Sequence, residues 1–438
     1  MLTRCLLPWC LMAALVAEPS AMGQIADSAD DLVAGIPVNY TEAKVGSYTL
    51  PDALRMRNGE PVKDAASWFA RRRPEIRKLI EEHWFGRAPG RPADLHFAVT
   101  EQQGSAFNGK AVRRQVTIRF TKDANGPSMD LLLYLPTDAK GPVPVFLNMS
   151  FFANNLAVND EGVKVGRRWD RETKTQVAAT PPPAGSRRFP PFPVEAFLEK
   201  GIGVATFNKD DLAPDFTGSE AMGVKGLYLK PGQQKPGADE WGAIAAWAWG
   251  ASRALDYLET DKGVDAKRVA IYGVSRLGKT ALWAGASDER FAMVIASCSG
   301  EGGAAIARRN YGENLAHMSS PARYAYQFAA NYGSYANRVN EWPVDANLLL
   351  AMIAPRPLLL QTGNTDKWSD PYGEFLAAVA VGPVYEFLGK KGLGTKQFPK
   401  AGEPILHDLG YVMHDGGHGV VPSDYDVYTR FFAMHLLR

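Results

Sequence analysis

Ser275 stands in the run Gly273-Val274-Ser275-Arg276-Leu277-Gly278-Lys279. Before it, Arg268 to Val274 is a short apolar run rich in β-branched and aromatic residues, and after it Lys279 to Gly285 favours helix. A serine pinned between a buried strand and a helix has the geometry of a nucleophile elbow. The sharp turn pushes Oγ out at the top of a sheet, and the helix N-terminus points backbone N–H groups at an anion forming there. The elbow pattern is usually G-x-S-x-G; here the second glycine comes one place late. The competing account is an ordinary strand-to-helix turn with a serine N-cap. Arg276 puts a fixed cation beside a developing oxyanion, and Lys279, one helical turn after Ser275, faces the same mouth.

A serine nucleophile needs a base, and the base needs an orienting acid. Of seven histidines, His83 and His96 precede the expected sheet core, His317 falls in an insertion, His407 and His414 flank or end the last strand, and His435 sits in the last helix. His418, in Asp415-Gly416-Gly417-His418-Gly419, follows that strand with a glycine on each side. Such a loop can hold an imidazole over the elbow, and the chain order Ser…Asp…His also points to a C-terminal histidine. Three carboxylates compete to orient it. Asp366 follows the strand Pro357 to Gly363, where an α/β-hydrolase carries its acid, and is preferred; Glu301 and Asp370 are the alternatives. No cluster of carboxylates or cysteines at ligand spacing surrounds His418 in the sequence, so no metal is expected, and no cofactor.

These groups need a sheet to position them. His96 to Phe120 reads as two strands around the turn Asn108-Gly109, followed by strands at Asp130 to Leu135, Val143 to Leu147 and Gly203 to Asn208. Beyond the elbow come strands at Phe291 to Cys298, Pro357 to Gly363 and Tyr411 to His414. Helical patterns cover Asp64 to Trp84, Trp241 to Thr260 (strongly amphipathic), Tyr372 to Gly389 and Tyr425 to Leu437. Antiparallel strands followed by strands alternating with helices predict an α/β-hydrolase fold, a three-layer αβα sandwich with long loop insertions around the active site. The stretch 149–198, with Phe151, Phe152, Trp169, Arg187 and Arg188, is expected to be an ordered lid over that site; 209–235 is a second long loop.

Composition excludes other classes. The chain has 438 residues, 46% hydrophobic and 22% charged, as globular enzymes do, and a net charge of +2 gives no bulk field for nucleic acid or membrane. Residues 1–23 read as a signal peptide: Arg4, an apolar core from Leu6 to Val16, and the small-x-small site Ala21-Met22-Gly23. A secreted or periplasmic location follows, with a single domain over residues 24–438 and a monomer expected. Cys5 and Cys10 leave with the signal, so Cys298 remains alone and no internal disulfide forms.

Several segments together carry a resemblance. Ser275-Arg276-Leu277-Gly278-Lys279, Gly300-Glu301-Gly302-Gly303, Arg308 to Glu313 (RRNYGE), Trp368-Ser369-Asp370-Pro371 and Gly417-His418 resemble the bacterial branch of carbohydrate esterase family 15, the glucuronoyl esterases. The likeness runs from about Asp52 to the C-terminus and includes Trp241 to Glu259 and Ile353 to Pro357. The family fingerprint is G-C-S-R-x-G-K; Val274 takes the cysteine's place. In fungal members that cysteine pairs with one near the histidine, which fits the single mature cysteine here. The resemblance implies cleavage of esters between (4-O-methyl-)glucuronic acid of glucuronoxylan and lignin alcohols. It implies Ser275 as nucleophile, His418 as base, Arg276 as oxyanion donor, and Lys279, Glu313 and Trp368 as sugar-binding residues. Many members carry the acid as a glutamate before a Ser-Gly at a strand end; Cys298 matches that position, which favours Asp366. The alternatives are another carbohydrate carboxylesterase, such as an acetyl xylan esterase, and a carbohydrate-binding pseudoenzyme.

Overall fold

The computed structural model describes residues 27–181 and 189–437. The signal reading for residues 1–23, and Arg187 and Arg188 of the long loop, lie outside the described residues.

Nine strands form the central sheet: His96–Ala106 (β1), Ala111–Arg119 (β2), Ser128–Pro136 (β3), Val143–Ser150 (β4), Gly203–Asn208 (β5), Val264–Val274 (β6), Met293–Ser297 (β7), Leu358–Gly363 (β8) and Leu409–His414 (β9). Their spatial order is β9-β8-β7-β6-β4-β5-β3-β2-β1. β1, β2 and β3 pair antiparallel, β3 pairs antiparallel with β5, and from β5 to β9 every neighbour is parallel. Helices on both faces make the parallel part a buried layer, so its strands carry continuous apolar runs instead of alternating ones. Every residue of β4, β5, β7, β8 and β9 is buried.

One apolar cluster lies between the sheet and a layer made of the helical run 65–85 (α1), Ala243–Leu258 (α2), Arg276–Ser287 (α3) and Pro371–Phe387 (α4). A second cluster fills the other face beneath Pro422–Leu436 (α5) and the short helix Val194–Leu198. This is the three-layer α/β-hydrolase arrangement expected from the strand and helix pattern.

Three details differ from expectation. All sixteen residues of α2 are buried, so it is not an amphipathic surface helix. Leu212 packs on Gly250, and the Trp247 and Trp249 indoles donate to the carbonyls of Ala213 and Gly90, so loops cover its outer side. The helix after the elbow begins at Arg276, three residues earlier than its apolar pattern suggests, because Ser275 itself occupies the N-cap. The long loop 149–198 contains secondary structure: a helical turn Asn154–Ala157 and a hairpin pairing Arg167–Trp169 with Gln176–Ala178.

Candidate active site

Register makes the carboxyl ends of four parallel strands level: Val274 of β6 lies beside Ser297 of β7, and Gly363 of β8 beside His414 of β9. Ser275 follows β6, Cys298 follows β7, Asp366 comes shortly after β8 and His418 shortly after β9. The edge of one sheet thus collects side chains from residues far apart in the chain.

Ser275 has φ 61° and ψ −129°, a conformation costing roughly 1–3 kcal/mol for a residue with a side chain. Its backbone is held on both sides: its N–H donates to Ser297 O at 2.8 Å, and its carbonyl accepts from Gly278 and Lys279 at 2.8 and 3.2 Å. The displaced glycine has a steric reason. A Cβ at Gly278 would come within 2.7 Å of Ser297 O, and one at Gly273 within 2.1 Å of Leu277 O. Gly278 and Lys279 spend their N–H groups on Ser275 O, so the helix N-terminus offers those of Arg276 and Leu277 at the turn, where an anion is favoured.

The glycine-flanked loop returns over the ends of β8 and β7. Thr365 N–H donates to Gly416 O at 2.9 Å, and the Cys298 thiol donates to Gly419 O at 3.3 Å while accepting from Gly419 N at 3.4 Å. The imidazole of His418 places Nδ1 2.6 Å from Asp366 Oδ2 and 3.1 Å from Ser369 Oγ. Asp366 is buried, which alone would raise its pKa, but the His418 contact holds it below the usual carboxylate range. Neither alternative acid reaches this imidazole. Glu301 is buried and accepts from Tyr332 at 2.9 Å, and burial pushes its pKa up. Asp370 caps α4 through Gly373 N and pairs with Arg309. His414, by contrast, is buried between Asp424 and Gly417 O.

Folding assembles a cluster that spacing does not reveal: the ligating atoms of Cys298, Asp366 and His418 lie within 4.8 Å of one another. The expectation that no such cluster surrounds His418 is therefore corrected. Burial pushes the Cys298 thiol well up, so it stays protonated, whereas metals take the thiolate; its hydrogen bonds also go to the loop backbone. The donor set fits an oriented imidazole better than a metal centre.

Arg276 is clamped in a way no motif announces. Its Nη1 donates to both oxygens of Asp215 at 2.8 Å, leaving Nε and Nη2 for other acceptors. Asp215 also accepts from Tyr326 at 2.5 Å and Gln327 at 3.2 Å, and pairs with the buried Lys209 at 3.0 Å. Burial would raise the Asp215 pKa, yet Lys209 and Arg276 hold it below the usual range. Burial would likewise lower the Arg276 pKa, and Asp215 keeps it up. The residue after Ser275 therefore carries a tightly held cation, and the second cation, Lys209, offsets the carboxylate that holds it. Arg171 of the long loop donates to Asp215 O at 3.3 Å, so that loop borders the site. Lys209, Asp215 and Tyr326 were missed because their only signal is contact across the fold.

The three expected sugar-binding residues meet on the α1–α4 side. Lys279 is buried, donates to Ser299 O at 2.6 Å and stands 3.8 Å from Glu313. Glu313 has Arg323 3.8 Å away on its other oxygen; burial raises its pKa and the two cations oppose that. Trp368 is partly exposed, with the Arg323 guanidinium 5.1 Å from its ring centroid and His317 edge-on. Arg323 and Tyr324, also unforeseen, form a stack in which both Arg276 and Arg323 lie over the Tyr324 ring. A paired acid and base beside an indole face suit a polyhydroxylated ring. Among the described residues no helix is long and apolar enough to cross a membrane.

The chain is similar to known carbohydrate esterases. A family model for "Glucuronyl esterase, fungi" matches residues 185–389. Carbohydrate esterase MZ0003, from an unknown prokaryotic organism, is 41% identical over 91% of this chain and 92% of its own length. A 4-O-methyl-glucuronoyl methylesterase of Wolfiporia cocos is 32% identical over 78% of this chain and 72% of its own. Among solved structures, a glucuronoyl esterase from Solibacter usitatus superimposes with TM-score 0.84 at 44% identity, covering 90% of this chain and all of that one. A promiscuous esterase of carbohydrate esterase family 15 from a marine bacterial metagenome gives 0.81 at 39% identity, covering 91% and 100%.

Proposed function

This chain belongs to the glucuronoyl esterase family, carbohydrate esterase family 15, and on that premise we propose that it hydrolyses esters of (4-O-methyl-)glucuronic acid in glucuronoxylan, releasing lignin alcohols. The observation that carries the mechanism is the imidazole of His418, 2.6 Å from Asp366 on the strand edge that ends in the strained Ser275. His418 takes the proton from Ser275 Oγ, which attacks the C6 ester carbonyl. The charge that forms on the carbonyl oxygen meets the free guanidinium N–H groups of Arg276 and a backbone N–H of α3. Losing one such donor costs about 2.7–4 kcal/mol of transition-state stabilisation. His418 then protonates the leaving alcohol and activates the water that releases the uronate. Asp366 holds the tautomer and offsets the imidazolium. Lys279, Glu313 and Trp368 bind the sugar. None of these steps calls on a cofactor. The chain acts as an exported enzyme on a polymeric substrate, and the signal-like residues 1–23 support the export.

A second reading, a broader carbohydrate carboxylesterase that also removes acetyl groups, is motivated by the 39%-identical structure described as promiscuous. Turnover of methyl 4-O-methyl-glucuronate against p-nitrophenyl acetate separates the two. Ser275→Ala and His418→Ala are each expected to lower kcat on the glucuronate ester by about 10³-fold or more. Retention of a tenth of wild-type kcat by either variant refutes the assignment.

A further inference from the structure

We propose that Tyr40, carried by an N-terminal strap over residues 31–44, is a further specificity residue, its hydroxyl binding a glucuronate ring at the end away from the ester. This rests on the glucuronoyl-ester reading above and adds a residue from a segment that no motif covers.

The strap is laid on the loops at the sheet edge by its backbone and by one charge. It opens with a hairpin pairing Asp31–Val33 with Ile36–Val38. Ile36 O then accepts from His317 Nε2 at 3.2 Å, Asn39 O accepts from Gly312 N at 2.8 Å, and Asn39 Nδ2 donates to Asn310 O at 3.3 Å. At the far end Glu42 takes both terminal nitrogens of Arg309, at 3.0 and 2.8 Å, while Arg309 Nε holds Asp370 at 2.8 Å. Such a two-pronged bond fixes direction as well as distance. The strap, Arg309 and the N-terminus of α4 are thereby joined.

This joined unit stands against two of the sugar-binding residues. Gly312, which bonds Asn39, precedes Glu313, whose N–H donates to Trp368 O at 2.8 Å. Gly312 has φ 63°, and a Cβ there would come within 2.4 Å of Lys367 O and 2.6 Å of Trp368 O. The glycine lets the backbone at 312–313 lie between the strap and residues 367–368. His317 adds a second tie, since its ring meets Trp368 edge-on with centroids 5.1 Å apart. Outward from Ser275, whose carbonyl accepts from Lys279 N, come Lys279, then Glu313, 3.8 Å from the Lys279 ammonium, and then the strap. A uronate whose ester carbon sits at Ser275 meets these groups in that order.

Tyr40 has the chemistry that this outer place needs. Its ring stands edge-on to the buried Tyr311, centroids 6.2 Å apart at 80°, and stays partly exposed. Among the described residues nothing hydrogen-bonds its hydroxyl. Burial, followed by the charges of Asp31, Asp366 and Glu313, raises the pKa of that hydroxyl. Glu313 on the sugar side and Asp366 behind His418 are therefore both close enough to act on it. A neutral phenol there has one donor and one acceptor free, which a ring hydroxyl or ether oxygen of a sugar can use.

The test uses the purified full-length chain with methyl 4-O-methyl-glucuronate and with p-nitrophenyl acetate, which has no sugar. Tyr40→Phe keeps the ring against Tyr311 and removes only the hydroxyl. It should raise KM for the glucuronate ester about two- to tenfold, which is what one neutral hydrogen bond supplies, with kcat within about twofold. The ratio of kcat/KM on the glucuronate ester to that on p-nitrophenyl acetate should fall by the same factor. Calorimetry of the ester on Ser275→Ala, with and without Tyr40→Phe, should show that factor in Kd. Tyr40→Phe with the KM and Kd of its parent overturns the assignment, even where Tyr40→Ala is impaired, because the ring then only packs on Tyr311. Equal losses on both substrates, or a lowered Tm that accounts for them, overturn it as well and make Tyr40 structural. In each of these cases wild-type turnover of the glucuronate ester leaves the parent reading intact. Cleavage of p-nitrophenyl acetate by wild type with no turnover of the glucuronate ester overturns the parent reading and this one with it.

Discussion

Asp366→Asn removes the charge behind His418 and keeps the side-chain shape. The asparagine amide can donate to Nδ1, which fixes the tautomer with the proton on Nε2, where it cannot accept from Ser275. The same change in a serine protease lowers kcat about 10⁴-fold, or about 5.5 kcal/mol at 1.36 kcal/mol per decade. The structure supplies an internal comparison, because Ser369 Oγ stands 3.1 Å from the same Nδ1. In Asp366→Ala that hydroxyl can accept the Nδ1 proton and keep the useful tautomer. Only the charge is then lost, and a neutral bond is worth roughly half a charge-assisted one, so the loss should be nearer 10²–10³-fold. The expected order of kcat is wild type, then Asp366→Ala, then Asp366→Asn, with Ser369→Ala abolishing the alanine variant's advantage. Initial rates on saturating methyl 4-O-methyl-glucuronate at neutral pH give kcat; KM should move by less than about threefold, since Asp366 is bonded to the imidazole and not to the sugar side. An Asp366→Asn enzyme retaining a tenth of wild-type kcat refutes the role of the acid, and an alanine variant slower than the asparagine one refutes the tautomer argument. Because its folded pKa is lowered, Asp366 contributes stability above its unfolded value that is lost as pH falls through the lower folded value.

Cys298→Ser should leave kcat within about threefold of wild type, because a hydroxyl can make the same two bonds to Gly419; a loss of orders of magnitude would give the thiol a chemical role. Asp215→Asn should lower kcat about 10- to 100-fold with little change in KM, since Arg276 stays present but loses the charge that aims it; full kcat would show that Arg276 needs no clamp. Lys279→Ala should hurt the glucuronate ester far more than p-nitrophenyl acetate, by about 10²-fold in relative kcat/KM, because a buried polar site rejects substrates that cannot pair with it; equal losses would assign Lys279 to supporting Ser299 O instead. Glu374, fully buried on α4, accepts from Ser299 Oγ and Gly300 N while burial lifts its pKa to about 8. Its raised folded value means that its stabilising contribution is full below about 4.5 and is lost as pH rises through 8, on the order of 5 kcal/mol at most. Glu374→Gln should therefore gain Tm relative to wild type between pH 5 and 8.5, and parallel Tm–pH curves for the two proteins would refute this.

Much of the scaffold is legible in the chain because its signals are local. A strand buried on both faces is mostly apolar, so β4, β5, β7, β8, β9 and the second half of β6 stand out as short runs between polar segments. A sharp strand-to-helix turn needs room for its backbone, which gives Gly273 and Gly278 around Ser275, and a loop folding back over a sheet needs the glycines around His418. The order of these segments then aligns Ser275, Asp366 and His418 on one edge. Local pattern did not expose what lies outside each segment: α2 looks amphipathic until Leu212 and Gly90 are seen to cover its outer side. The clamp on Arg276 joins residues 61 positions apart, and the bond from Cys298 to the histidine loop spans 121. The tertiary structure alone also decided which of Glu301, Asp366 and Asp370 meets the imidazole. All three are acids near strand ends; two are spent on Tyr332 and Arg309, and only Asp366 lies within reach. Periodicity records whether a side chain is buried, whereas the partner of a buried charge is set by which strands the topology makes neighbours.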